Sequence, residues 1–162
     1  AREEIDATLV LLGNVATDDP EGEEVYQNLL DQREERIRII SVEDTALVNT
    51  LQSKAAVVLQ KSIREGFGLT VTEALWKGTP VIGGNVGGIK YQIDHGESGY
   101  LVDSVEEAAE YIAKLVKDED LRNRMGNRAR ETVKDNFLMI RLVEQYLDLL
   151  NSFDIQYKFR GL

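Results

Sequence analysis

Five short apolar runs, separated by glycine-punctuated loops and helix-length segments, restrict this chain to few folds: residues 6–13 (DATLVLLG), 36–40 (RIRII), 55–60 (AAVVLQ), 79–84 (TPVIGG) and 99–103 (GYLVD). Nearly unbroken apolar runs of this length suit strands buried on both faces, as a parallel sheet requires. The segments between them read as helices. Residues 21–35 put Val25, Leu29 and Leu30 on one helical face, residues 43–55 have Asp44 as N-cap, and residues 69–77 are stopped by Gly78 and Pro80. After the last strand, Ser104 caps a helix through Lys117, and two more helices are expected over 119–135 and 137–153. Strand and helix alternation predicts an α/β fold, a Rossmann-like parallel sheet sandwiched by helices. No internal repeat interrupts it, so residues 1–153 are expected to form one domain, and residues 154–162 (DIQYKFRGL) a tail without periodicity.

Composition narrows what such a domain does. A chain of 162 residues with 43% hydrophobic content can bury a core of its own. A net charge of −10 repels nucleic acid and anionic membranes alike, so neither is an expected partner. With no cysteine and His95 as the single histidine, thiolate and histidine-rich metal sites are excluded, and no metal is expected. No apolar run approaches the roughly 18 residues of a membrane span, and the first residues lack the basic-then-apolar order of a secretory leader. The expectation is a reducing, cytoplasmic setting.

The loop that carries chemistry lies in residues 62–83, SIREGFGLTVTEALWKGTPVIG. It follows the third strand and opens a helix, the place where parallel α/β sheets bind ligands. Gly66 and Gly68 let backbone approach a ligand closely, and the free N–H groups of Phe67, Gly68, Leu69 and Thr70 begin the helix. Those donors and the positive helix end suit a phosphate or diphosphate. Glu65 and Glu73, on either side, suit the paired hydroxyls of sugar and ribose. Leu69 to Glu73 spans roughly 6 Å of helix axis, so a ligand with hydroxyls at both ends and a diphosphate between them fits. That describes a nucleotide sugar. Lys61 and Arg64 are near enough in sequence to add positive charge. A dinucleotide site fits poorly, since Val71 stands at the third glycine position and the loop follows the third strand, not the first. Ser62 has no histidine base in any motif, and His95 reads as a loop-structuring residue. A bare turn at a helix start, with Glu73 an ordinary surface carboxylate, is the alternative reading of the same residues.

The stretch EGFGLTVTE, residues 65–73, resembles the E-x7-E motif of family-4 retaining glycosyltransferases of the GT-B fold. The following run, EALWKGTPVIGGNVGGIKYQIDHGESGYLV, is similar to that family's conserved downstream segment, and the resemblance extends over residues 6–153. It implies the C-terminal, donor-binding half of a GT-B enzyme, lacking its first strand and helix. Within the family the wording is most similar to the glycosyltransferring trehalose synthases. By that likeness Glu65 is the catalytic carboxylate, contacting the transferred sugar and stabilising its developing positive charge, Gly66, Phe67, Gly68, Leu69 and Thr70 hold the diphosphate, and Glu73 grips the ribose. Gly13 lines the nucleotide pocket and Val42 lies where the base packs, beside Ser41 at a usual glycine position. The implied donor is ADP-, UDP- or GDP-glucose, with no cofactor, and the implied acceptor is a sugar, glucose in the trehalose synthases. The implied chemistry is retaining transfer in which the donor phosphate helps deprotonate the acceptor.

The resemblance also implies an N-terminal acceptor domain, and a strand and helix bearing an arginine and a lysine, that are not in this sequence. The chain alone is therefore expected to be inactive. Tyr157 and Phe159 would dock on that other domain or form a homodimer patch. A GT-B-like epimerase or phosphorylase shares the same cradle, and a non-enzymatic fragment kept for its fold is the third reading.

Overall fold

The computed structural model of the protein describes residues 5–13, 20–31 and 34–153. In chain order it contains β1 (Leu9–Gly13), α1 (Pro20–Asp31), β2 (Ile37–Ser41), α2 (Thr45–Lys54), β3 (Val58–Gln60), α3 (Leu69–Trp76), β4 (Val81–Gly84), a 3-10 turn (Ile89–Tyr91), β5 (Gly99–Val102), α4 (Val105–Lys117), α5 (Glu119–Asn136) and α6 (Met139–Ser152). All five strands and the helices expected from the sequence are present. All strand pairs are parallel, and they form two sheets, β1–β2 and β3–β4–β5.

The three-stranded sheet carries the core. β4 lies at its centre with all four residues buried, and its alternating side chains feed two clusters. Val81 joins Val71, Ala74 and Leu75 of α3 with Ala129 and Val133 of α5. Ile82 joins Tyr100, Val102, Leu115 of α4 and Met125 of α5. A sheet with apolar contacts on both faces is what an unbroken apolar strand such as VIGG demands. α3 is fixed at its C-terminal end by α5. Arg130 donates from Nε to Trp76 O at 3.1 Å and from Nη2 to Lys77 O at 3.0 Å, satisfying carbonyls that the helix cannot pair itself. Gly126 permits this approach, since a Cβ there would lie 2.1 Å from Gly78 O.

The two-stranded sheet departs from expectation. Residues 6–13 read as a strand buried on both faces, yet β1 and β2 are half-exposed, with Leu9 40% exposed. The physical reason is pairing: among the described residues β1 and β2 pair only with each other, so neither edge of this sheet has a neighbouring strand to bury it. The helical face of Val25 and Leu29 is exposed too. α2 ties this half to the other. Asp44 caps it by accepting from Leu47 N–H at 3.0 Å, and Thr79 Oγ1, just before β4, donates to Gln52 O at 2.6 Å. α6 shows no buried residue, and its apolar side chains, Ile140, Val143, Leu147 and Leu150 among them, are exposed. The expected tail, with Tyr157 and Phe159, lies outside the described residues. Among the described residues no helix is long and apolar enough to cross a membrane.

Candidate functional site

The site grows from the carboxyl end of β3, where the chain leaves Gln60, turns through 61–68 and enters α3. Gly68 is the N-cap of α3 with φ of 84°, a left-handed conformation that L side chains seldom adopt. No side chain caps this helix. The N–H groups of Phe67, Gly68, Leu69 and Thr70 accordingly have no acceptor among the described residues. Unpaired donors at a helix N-terminus make a ready anion site.

A second loop braces the first. After β4 the chain runs through Gly87 and Gly88 into the 3-10 turn, and Gly88 N–H donates to Glu65 O at 3.2 Å. The backbones touch so closely that a Cβ on Gly87 would lie 1.7 Å from Glu65 O, and one on Gly88 2.4 Å from Gly66 O. Gln92, at the end of the 3-10 turn and 1% exposed, donates its side-chain N–H to Phe67 O. Phe67 also meets Phe137 edge-on at 6.0 Å between ring centres. Beside this junction lies a cavity of about 550 Å³ walled by Gly66, Phe67, Gly88, Tyr91, Gln92 and Phe137 among others. Neither Glu65 nor Glu73 is one of its walls.

The two acids are held differently. Glu65 is half-buried, its Oε2 accepting from Ser62 Oγ at 3.5 Å, and Ser62 Oγ in turn accepts from Gln60 Nε2 at 2.9 Å. Ser62 is thus a link in a side-chain chain, in keeping with its lack of a histidine base. Glu73, one turn into α3, accepts from Gln52 Nε2 at 3.0 Å, while Lys77 Nζ donates to Gln52 Oε1 at 2.6 Å. Buried Gln52 therefore orients an acid on the neighbouring helix. A carboxylate held by one donor still has lone pairs for ligand hydroxyls.

Glu65, Gly66, Phe67, Gly68, Leu69, Thr70 and Glu73 are brought together on one strand-to-helix junction. Gly13 ends β1 in the two-stranded sheet, paired with Ser41, and a Cβ there would meet nothing within 4 Å, so the backbone at this position is open to approach. Lys61 and Arg64 are exposed. His95 accepts from Leu101 N–H at Nδ1, 3.2 Å away, and packs edge-on against Tyr100 and Tyr111, so it structures its loop. No group of three or more histidine, cysteine or acidic residues able to hold a metal ion occurs among the described residues. Sequence reasoning missed Gln52 and Gln92. Gln92 left a trace, because it stands three residues after Ile89, on the inward side of a short helical turn.

Comparison with known proteins adds a family to this geometry. Residues 1–132 match the family of glycosyl transferases group 1. A trehalose synthase of Pyrococcus horikoshii is 46% identical over 150 residues, covering 89% of this chain and 36% of that protein. A trehalose phosphorylase of Grifola frondosa is 38% identical over 137 residues, covering 78% of this chain and 19% of that one. The chain thus spans about a third or less of the length of these relatives. Among solved structures, Anabaena HepE in complex with UDP superposes with a TM-score of 0.78 at 22% identity, over 90% of this chain and 41% of that one. Parallel strands flanked by helices, covering about two fifths of that neighbour, are the arrangement of a GT-B domain. A family match over most of the chain and trehalose synthase relatives nearly half identical to it lead to one conclusion: the chain belongs to the group 1 glycosyl transferases.

Proposed function

We propose that this chain is the nucleotide-sugar-binding domain of a retaining glycosyltransferase that moves glucose from a nucleoside-diphosphate glucose to a sugar acceptor, glucose itself, giving trehalose. The observation that carries the reading is the row of unpaired N–H groups from Phe67 to Thr70, flanked by Glu65 before the helix and Glu73 one turn into it. The trehalose synthases among the relatives support the acceptor, and the UDP complex of a protein with the same fold supports the donor class.

In this mechanism the N–H groups of Phe67 to Thr70 bind the diphosphate and stabilise the charge it gains as the glycosidic bond breaks. Preorganised donors of this kind lower a barrier by several kcal/mol, about 3 to 4 for a single donor. Glu65 faces the sugar and stabilises the positive charge that develops on it. Glu73, oriented by Gln52, takes the ribose hydroxyls. The departing phosphate oxygen accepts the proton of the attacking hydroxyl, so no protein nucleophile is needed and the configuration is retained. Residues 1–153 act as the binding domain, Gly13 supplies a wall of the nucleotide pocket, and the acceptor is held by a separate part of an enzyme of the relatives' length.

Calorimetric titration with ADP-, UDP- and GDP-glucose, with glucose as control, tests the reading. Saturable binding of one of them, competed by the matching diphosphate, is the expected result. A folded chain that binds none of them would refute it. The phosphorylase relatives favour a second reading, in which α-glucose 1-phosphate occupies the same donors. Binding of that compound with no competition by nucleotide would favour the second over the first.

A further inference from the structure

We infer that Gln92 is a positioning residue for the anion-binding turn, aiming the Gly68 N–H into the site by holding the other side of the same peptide. This rests on the nucleotide-sugar reading above. The Gln92 side chain is 1% exposed and donates from Nε2 to Phe67 O. In a trans peptide the C=O and N–H point to opposite sides, so a Phe67 carbonyl fixed toward Gln92 turns the Gly68 N–H away from it. That N–H has no acceptor among the described residues. A glycine N-cap at φ of 84° has more conformations open to it than any other residue, and this peptide needs an external hold to keep its donor aimed.

A second observation argues that Gln92 is there for this bond. Its Oε1 is buried and has no hydrogen-bond partner among the described residues. It lies at the underside of the turn, where a Cβ on Gly68 would be 3.4 Å from it and 3.4 Å from Glu65 Cγ. A buried amide with one end unsatisfied is unfavourable against an apolar side chain of similar shape. Packing alone would place a leucine or methionine there, beside the buried Ile89 and Ile93. What the amide supplies that those residues lack is the donor to Phe67 O. Glu65 is held by the same scaffold, since Gly88 N–H fixes its carbonyl four residues before Gln92 in the chain. The loop after β4 thus acts on both the diphosphate donors and the acid.

The test compares wild type, Gln92→Met and Gln92→Glu in binding to ADP, UDP and GDP, with melting temperature recorded alongside. Gln92→Met keeps the volume and removes the donor, and is expected to weaken the preferred diphosphate about tenfold. Gln92→Glu donates only when its carboxyl is protonated. Its affinity relative to wild type is expected to be lowest at neutral pH and to recover as pH falls, measured at each pH well below the melting temperature so that destabilisation of the fold by an ionised buried carboxylate is not read as lost affinity. Wild-type affinity in Gln92→Met, or a pH-independent deficit in Gln92→Glu, would overturn the inference and leave the proposed function standing. Wild type that binds no diphosphate would overturn both. Should Gln92→Met fail to fold, the pH response of Gln92→Glu decides the matter.

Discussion

Gln52 and Glu73 are joined across two helices by a 3.0 Å hydrogen bond, and the same Gln52 amide accepts from Lys77 at 2.6 Å. One buried amide thereby sets both the direction of the acid and the place of the cation beside it. Under the proposed function, Glu73→Ala weakens nucleoside-diphosphate binding by about 1 to 3 kcal/mol through lost ribose contacts. Gln52→Leu, which leaves the acid in place but unheld, weakens it by about 1 kcal/mol. The two losses are expected to be non-additive, the double variant binding no worse than Glu73→Ala, because, of the two groups Gln52 holds, only Glu73 is assigned a ligand contact. Strictly additive losses in a calorimetric cycle would separate Gln52 from the site.

The junction between the two glycine loops makes a second test. Gly87 has φ of 48° and a Cβ there would sit 1.7 Å from Glu65 O, so Gly87→Ala forces the loops apart. Overpacking of this kind destabilises by about 1 to 3 kcal/mol. Both a lower melting temperature and weaker diphosphate binding are expected, since the displaced backbone carries Glu65. Gly13→Ala is the control: its Cβ meets nothing, its melting temperature should stay at the wild-type value, and any loss of binding reports its place in the nucleotide pocket.

Local signals account for what the sequence made legible. Asp44 and Ser104 were readable as caps because a cap is decided within three residues, and α3 was bounded by Gly68 and Gly78, each of positive φ in the structure. The E-x7-E spacing placed Glu65 and Glu73 at one junction for the same reason. Burial of β1 was not legible, since VLL reads alike whether or not a strand lies beside it, and here one edge has none among the described residues. Gln52 with Glu73, 21 positions apart, and Gln92 with Phe67, 25 apart, are tertiary pairings that no local pattern encodes.

The start of α4 predicts a pH dependence. Glu107 Oε2 accepts from Asp103 N–H at 2.8 Å and Ser104 N–H at 3.3 Å, while Glu107 N–H donates to Ser104 Oγ at 3.1 Å, a reciprocal capping box. The backbone N–H of Asp103, first, and the two groups of Ser104 hold the Glu107 carboxyl below its ordinary value. A carboxyl depressed in the folded state contributes stability that is fully present above its unfolded value and is lost as pH falls through the folded one. Acid titration of melting temperature should therefore show a fall over that range that is smaller in Glu107→Gln. Ser104→Ala should lower stability at neutral pH by about 1 kcal/mol. Identical acid profiles for wild type and Glu107→Gln would count against the box as a source of stability.

Gly66 and Gly68 separate the anion site from the fold that carries it. At Gly68 a Cβ would lie 3.3 Å from Ile89 and 3.4 Å from both Gln92 and Glu65, so an added side chain there meets protein, and its φ of 84° adds strain of roughly 1 to 2 kcal/mol. Gly68→Val should lower the melting temperature and weaken diphosphate binding together. At Gly66 a Cβ meets nothing within 4 Å, and its φ is not positive. Gly66→Val should thus leave stability within about 0.5 kcal/mol of wild type while its branched side chain occupies space above the donors. Diphosphate affinity is then expected to fall tenfold or more, about 1.4 kcal/mol, with the melting temperature unchanged. A Gly66→Val protein that binds as tightly as wild type would show that the ligand does not approach this turn, and would move the site away from the N-terminus of α3.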